Sequence, residues 1–201
     1  MFIEIAELIR CPKAHEENFC VITPDHIEDR RIIDGVVGCP VCKAEYPIHQ
    51  SVVDFGGVST VRDHDSAPNM NVGAAMVQAL LDLSSPGGCV ALVGSAARVA
   101  GALARQLEGV HYIGINVPGG VEASRDVSLL HTPDIIPLRS ASMRGVVLGA
   151  DYADGLWIQE AERILLRGRR LVAFGDIEGP EGTIELAREG GIFVGEKNRP
   201  R

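Results

Sequence analysis

Apolar positions along this chain follow two rhythms. Before residue 57 they come in short β-branched runs, Asn18 to Thr23, Arg31 to Gly38 and Glu45 to Phe55, each of which predicts a strand. From Asn71 onward helical spacing alternates with continuous apolar stretches. Val72, Met76, Leu80 and Leu83 predict a helix over 72–83, and further helices are expected at Ala96 to Leu107, Leu156 to Leu166 and Thr183 to Glu189. Between them Cys89 to Val93, His111 to Val117, Val127 to His131, Gly145 to Gly149, Arg170 to Phe174 and Gly191 to Val194 read as strands. The stretch 58–70 is polar without a sustained period and reads as a linker, dividing the chain into a β-rich unit, 1–57, and an α/β unit, 71–201.

Near-continuous apolar strands alternating with helices predict a mostly parallel sheet covered on both faces. Two lengths qualify that picture. Only Pro118 to Asp126 join the second and third strands of the α/β unit, whereas a parallel crossover with its helix takes about a dozen residues or more. After Phe174 the remaining residues look too few for a further helix and a closing hairpin, so a truncated sheet is expected.

Composition narrows the class. With 46% apolar and 23% charged residues the 201-residue chain is globular. No apolar run reaches the roughly 18 to 20 residues of a membrane span, and Met1 to Glu7 lacks the basic start and apolar core of a signal peptide, so a cytoplasmic location is expected. The net charge of −8 is concentrated at the front, where residues 1–57 carry five Lys/Arg against ten Asp/Glu. That acidity argues against nucleic-acid binding, which needs a basic stripe.

In a cytoplasmic chain, five cysteines suggest metal ligands and free thiols. Cys39 and Cys42 stand at C-x-x-C spacing, and Cys11-Pro12 opens a second knuckle. The partner position two residues after Pro12 holds Ala14, leaving His15, one step on, or Cys20 to complete a tetrahedral set. Cys20 also reads as a small buried hydrophobe, and a chain without metal is the remaining alternative. Four protein ligands would close the site, making zinc structural, and a unit of this size needs such a staple.

Ala6-Glu7-Leu8-Ile9-Arg10-Cys11-Pro12, then Cys39-Pro40-Val41-Cys42-Lys43-Ala44-Glu45-Tyr46-Pro47-Ile48 and Val52-Val53-Asp54-Phe55, resemble a family of small zinc ribbons that activate methyltransferases, as separate subunits or fused at the N-terminus. The α/β unit in turn resembles class I S-adenosylmethionine-dependent methyltransferases, in Ser85-Pro86-Gly87-Gly88 before the strand ending at Gly94, and in Glu160-Ala161-Glu162-Arg163 before Gly168-Arg169-Arg170-Leu171. The resemblance implies a Rossmann-like fold and places cofactor contacts at Gly94, Ser95, Asn116 and Asp134.

Departures fall on that cofactor site. The family's glycine-rich turn is Gly94-Ser95-Ala96-Ala97 here, and Asn116 stands where an acid would hold the ribose. Asp134 also reads as a turn residue, and Asp151, Tyr152 and Asp154 as either pocket lining or a solvated loop. No Walker loop or nucleophile elbow is present, and His49, His64, His111 and His131 are scattered. The expected function is a non-catalytic, methyltransferase-derived interaction subunit of a larger complex. The alternatives are an active methyltransferase with an atypical cofactor loop, or a module binding another nucleotide.

Overall fold

The computed structural model describes residues 1–56 and 72–199; the expected linker, 58–70, and His64 lie outside the described residues. A 3-10 helix at Ile3–Leu8 leads into β1 (Val21–Glu28), β2 (Arg31–Gly38), β3 (Glu45–His49) and β4 (Val52–Asp54). The single strand expected over Glu45 to Phe55 is folded back on itself, because Gln50 and Ser51 adopt positive φ (48° and 66°) and turn the chain. Then follow α1 (Ala74–Leu80), β5 (Cys89–Val93), a 3-10 turn at Gly94–Val99 running into α2 (Ala100–Gln106), β6 (His111–Ile115), β7 (Val127–His131) and β8 (Met143–Leu148). A short 3-10 turn at Ala150–Tyr152, α3 (Gly155–Ile164), β9 (Leu165–Phe174), β10 (Thr183–Glu189) and β11 (Ile192–Lys197) complete the described chain.

All eleven strands form one sheet in the order β1-β2-β3-β4-β7-β6-β5-β8-β9-β11-β10. Pairings from β4 through β9 are parallel, flanked by antiparallel strands at both ends. The two sequence units meet within the sheet, where β4 pairs with β7 through Val52↔Leu129, Val53↔Leu130 and Asp54↔His131.

The segment Thr183–Glu189, expected as a helix, is strand β10. Gly190 and Gly191 (φ 58° and 76°) make a two-residue hairpin turn, and β11 inserts antiparallel between β9 and β10. The closing hairpin is therefore present, against the expectation of too few residues for it, and the helix before it is the element left out.

Strand alternation builds two core layers. Ala91 and Val93 pack on one side with Ile113, Ile115 and Leu130, while Val90 and Leu92 pack on the other with α1 and α2. Neither the β6–β7 nor the β7–β8 connection contains a helix. Their face of the sheet is covered from elsewhere: Met1, Ile5 and Ile9 of the N-terminal segment join Ile136, Leu138 and the parallel strands in one cluster. Backbone bonds from Arg10 N–H to Pro137 O (3.1 Å) and from Arg139 N–H to Leu8 O (2.8 Å) fix that cover.

On α3, Trp157, Ile158, Ala161 and Ile164 recur at helical spacing and are buried, and the Lys197 ammonium donates to carbonyls at the helix C-terminus. Its polar side holds a clasp. Arg163 donates to Glu160 (2.8 Å) and to the carbonyls of Leu138 (2.8 Å) and Ile136 (2.7 Å), while Glu160 accepts the Ile136 N–H (2.8 Å). Arg10 reaches within 3.8 Å of Glu160 and 3.2 Å of Glu17, which accepts the Ser140 hydroxyl. The Glu160-to-Arg163 stretch thus ties the front of the chain to α3.

At the other end of β6, the His111 ring is stacked on Phe2 (centroids 5.0 Å, 16°), and Nε2 lies 2.9 Å from the Ser128 hydroxyl, which also accepts the Phe2 N–H. Burial pushes His111 down to about 4. The folded protein keeps the ring neutral to about pH 4, whereas the unfolded chain takes up the proton near 6.5. Stability from this group is complete above pH 6.5 and falls as pH drops toward 4, by about 3 kcal/mol at most. Urea denaturation at pH 7 and pH 4.5 is expected to show a larger drop for the wild type than for His111→Gln; equal drops would remove His111 from the account.

Candidate functional site

The turn between β2 and β3 is closed by backbone bonds from Cys39 N–H to Ala44 O (2.8 Å) and from Lys43 N–H to Cys39 O (3.0 Å), with Lys43 in the left-handed region (φ 59°). This tight turn brings the buried Cys39 and the exposed Cys42 together on the side of Cys11 and His15. Facing it is the loop after the first 3-10 helix, carrying Cys11 and His15. The ligand atoms of Cys11, His15, Cys39 and Cys42 all lie within 4.8 Å of one another, an arrangement that could hold a metal ion.

Two of the six distances between ligand atoms lie close to those around a tetrahedral ion. A Zn–S bond of about 2.3 Å puts two sulfurs about 3.8 Å apart, and a sulfur and an imidazole nitrogen about 3.6 Å apart. Cys11 Sγ and Cys42 Sγ are separated by 3.7 Å, and Cys39 Sγ lies 3.3 Å from His15 Nε2. His15 Nδ1 is 2.7 Å from the Glu16 carbonyl, which can only accept. Nδ1 therefore carries the proton, and Nε2 offers its lone pair to the cluster. The Ala44 amide holds the exposed Cys42 thiol down at about 6, whereas burial raises Cys11. Cys20 is buried and pushed up to about 12, chiefly by that burial, and stands outside the converging four. One neighbour escaped the sequence reading: the Tyr46 hydroxyl lies 3.4 Å from Cys11 Sγ. Tyr46-Pro47-Ile48 was visible as a pattern, but nothing in it indicates that the phenol reaches the thiol.

The second candidate region lies at the strand ends. In the sheet β5 sits between β6 and β8, where the order of winding reverses, and in open α/β sheets ligands occupy the crevice at such a switch point. Here the crevice holds the chain's own groups. Both Asp151 carboxylate oxygens accept the Ser95 N–H (3.1 and 3.0 Å), and Oδ1 accepts the Ser95 hydroxyl (2.6 Å). Tyr152, fully buried, lies against Gly94 and meets Trp157 edge-on (4.7 Å, 79°). Any side chain at Gly94 (φ 62°) or Gly149 would collide with Asp151 and its partners. Tyr152 is therefore packed core and Asp151 a bonded group, not members of a solvated loop.

The other two expected contacts point elsewhere. Asn116, 1% exposed with φ 51°, donates to the Thr132 carbonyl and accepts the Thr132 N–H, both at 2.8 Å, which locks the ends of β6 and β7 together. Asp134 is exposed and accepts the Ile135 N–H (2.8 Å). Gly94 and Ser95 are thus at the crevice, joined to Asp151, while Asn116 and Asp134 are committed to backbone.

No protein-family model matches the sequence, and no curated protein matches it. Among solved structures the chain is similar to the antibiotic-resistance methyltransferase Kmr, with 11% identity, a TM-score of 0.45, and coverage of 63% of this chain and 93% of that one. It is also similar to a chain from the complex between the Haloferax volcanii Trm112 methyltransferase activator and a protein described as a methyltransferase, with 20% identity, a TM-score of 0.40 and coverage of 50% of each. A third is described as a methyltransferase from an antibiotic biosynthesis pathway of Anabaena variabilis, with 19% identity, a TM-score of 0.40, and coverage of 56% of this chain and 49% of that one. The chain spans about half the length of the last two. By its own strand order and pairing, the protein is a mixed α/β fold with a parallel, Rossmann-like centre to its sheet, and it carries a Cys/His cluster able to hold a metal ion.

Proposed function

We propose that the protein is a non-catalytic, methyltransferase-derived interaction subunit of a larger complex, with a structural zinc ribbon in residues 1–57, a linker at 58–70 and a docked α/β unit in 71–201. The observation carrying this reading is the Asp151 carboxylate on the Ser95 amide and hydroxyl at the switch point. A cofactor entering there would have to displace a charged, hydrogen-bonded group, and Asn116 is already engaged with Thr132. Cys11, His15, Cys39 and Cys42 would hold zinc as a closed four-ligand site, supplying folding energy and leaving no coordination position for a reactant.

A cytoplasmic setting belongs to this proposal, since thiolate ligands are kept available in a reducing compartment. Among the described residues no helix is long and apolar enough to cross a membrane. A protein partner is the proposed ligand class, since the acidic front of the chain disfavours nucleic acid. Calorimetric titration of the zinc-loaded protein with S-adenosylmethionine is the direct test. No heat of binding is expected up to millimolar ligand, and a micromolar dissociation constant would overturn the reading in favour of an active enzyme.

A further inference from the structure

Three thiolates and a neutral imidazole around a divalent ion leave a net charge of −1 spread over the sulfurs. Hydrogen bonds donated to the ligand atoms temper such excess charge and keep a ligand in place. Cys11 comes from a separate loop, where the Lys13 backbone gives its sulfur one hydrogen bond, and a side-chain donor is needed for a second. Tyr46 is placed to supply it. It sits on β3, paired with Val37 of β2, and its ring is buried against Phe55 (centroids 4.7 Å, 47°). The strand fixes the ring, the ring fixes the phenol oxygen, and that oxygen ends 3.4 Å from Cys11 Sγ.

We infer that Tyr46 is a positioning residue of the metal centre, donating its phenolic hydrogen to the Cys11 thiolate and so slowing loss of the ion. The inference rests on the metal being held by Cys11, His15, Cys39 and Cys42. A metal-bound cysteine is a thiolate and can only accept, so the direction of the bond follows from the chemistry of the ligand set. The bond also ties the centre to the core, because Tyr46 shares the buried face of β3 with Ile48, and both belong to the same cluster. A bond to the ligand is a different role from packing, and the two are separable: Tyr46→Phe keeps the ring and removes only the oxygen.

The experiment compares wild type and Tyr46→Phe, each loaded with zinc or cobalt(II) at measured stoichiometry. Competition with a chromophoric chelator is expected to show 10- to 100-fold weaker zinc binding in the variant. In the cobalt(II) protein the sulfur-to-metal charge-transfer band is expected to move to lower energy, since a thiolate without its hydrogen bond is the better electron donor. One ion per chain in both proteins, with unchanged affinity and unchanged spectrum, would overturn the role of Tyr46 and leave the four-ligand centre standing. Failure of the wild type to bind any ion would overturn the centre itself. Should the variant not fold, wild type labelled with 3-fluorotyrosine serves instead: its more acidic phenols are expected to slow zinc release, and unchanged release would count against the bond.

Discussion

For the zinc-loaded protein proposed above, stripping the metal with a chelator at pH 7 is expected to lower the thermal midpoint by about 10 °C or more, with recovery on adding zinc back. Metal binding in small units of this kind becomes folding free energy, on the order of 10 kcal/mol in isolated zinc fingers. Part of that is retained here, because β1–β4 belong to the same sheet as the parallel strands. A loss of several kcal/mol, at roughly 2–4 °C per kcal/mol for a chain of this length, gives the stated shift. The effect should not stay local: Ile32, Val37, Ile48, Val53 and Phe55 share one buried cluster with Val93, Ile113 and Leu130 of the parallel strands. Cys39→Ser is expected to reproduce the loss. Calorimetric melts of zinc-loaded and stripped protein decide the matter, and identical midpoints at confirmed stoichiometries would dismiss a structural metal.

The second large effect is at Trp157. It is 2% exposed, lies on the inward face of α3 and backs Tyr152 at the strand-end crevice. Trp157→Ala removes the largest buried side chain and is expected to cost about 3–5 kcal/mol, read from urea denaturation followed by circular dichroism, since the only tryptophan is lost. Trp157→Phe keeps an aromatic edge for Tyr152 and should cost less than half as much. A loss below about 1 kcal/mol for the alanine variant would mean that the crevice collapses freely around the gap, and that Tyr152 and Asp151 are not held by this packing.

The parallel strands were legible because burial on both faces leaves a continuous apolar run, as in Cys89–Val93, which no local choice can disguise. Thr183–Glu189 was not. Glu185, Leu186, Ala187 and Arg188 are good helix formers, and the pairing of β10 with β11 across a Gly-Gly turn makes them a strand. The cover over the β6–β7 connection was equally hidden, since Met1, Ile5 and Ile9 come from the far end of the chain. In the metal cluster, spacing pointed to Cys39 and Cys42, and the reach of an imidazole to His15, while the distance from Tyr46 to Cys11 depends on strand register. At the crevice, the lone Gly94 signalled a changed turn. That its neighbour is Asp151, 56 residues on from Ser95, is a tertiary fact. The Glu160-to-Arg163 stretch was readable as a family pattern, and its role here as a clasp on Ile136 and Leu138 was not.

The pairing of β4 with β7 also governs how the protein fails. While it holds, the sheet ends at β1 and β10. β1 is blunted by Pro24 and by two register shifts beside it, and β10 by a bulge and by Glu185, Arg188 and Glu189. If the ribbon peels away, the sheet instead ends at Val127-Ser128-Leu129-Leu130, an apolar strand without proline or charge and with its backbone groups unpaired. Such an edge is a template for strand addition, so in the zinc-bound subunit proposed above loss of the ion should appear in the cell as insolubility before any loss of partner binding.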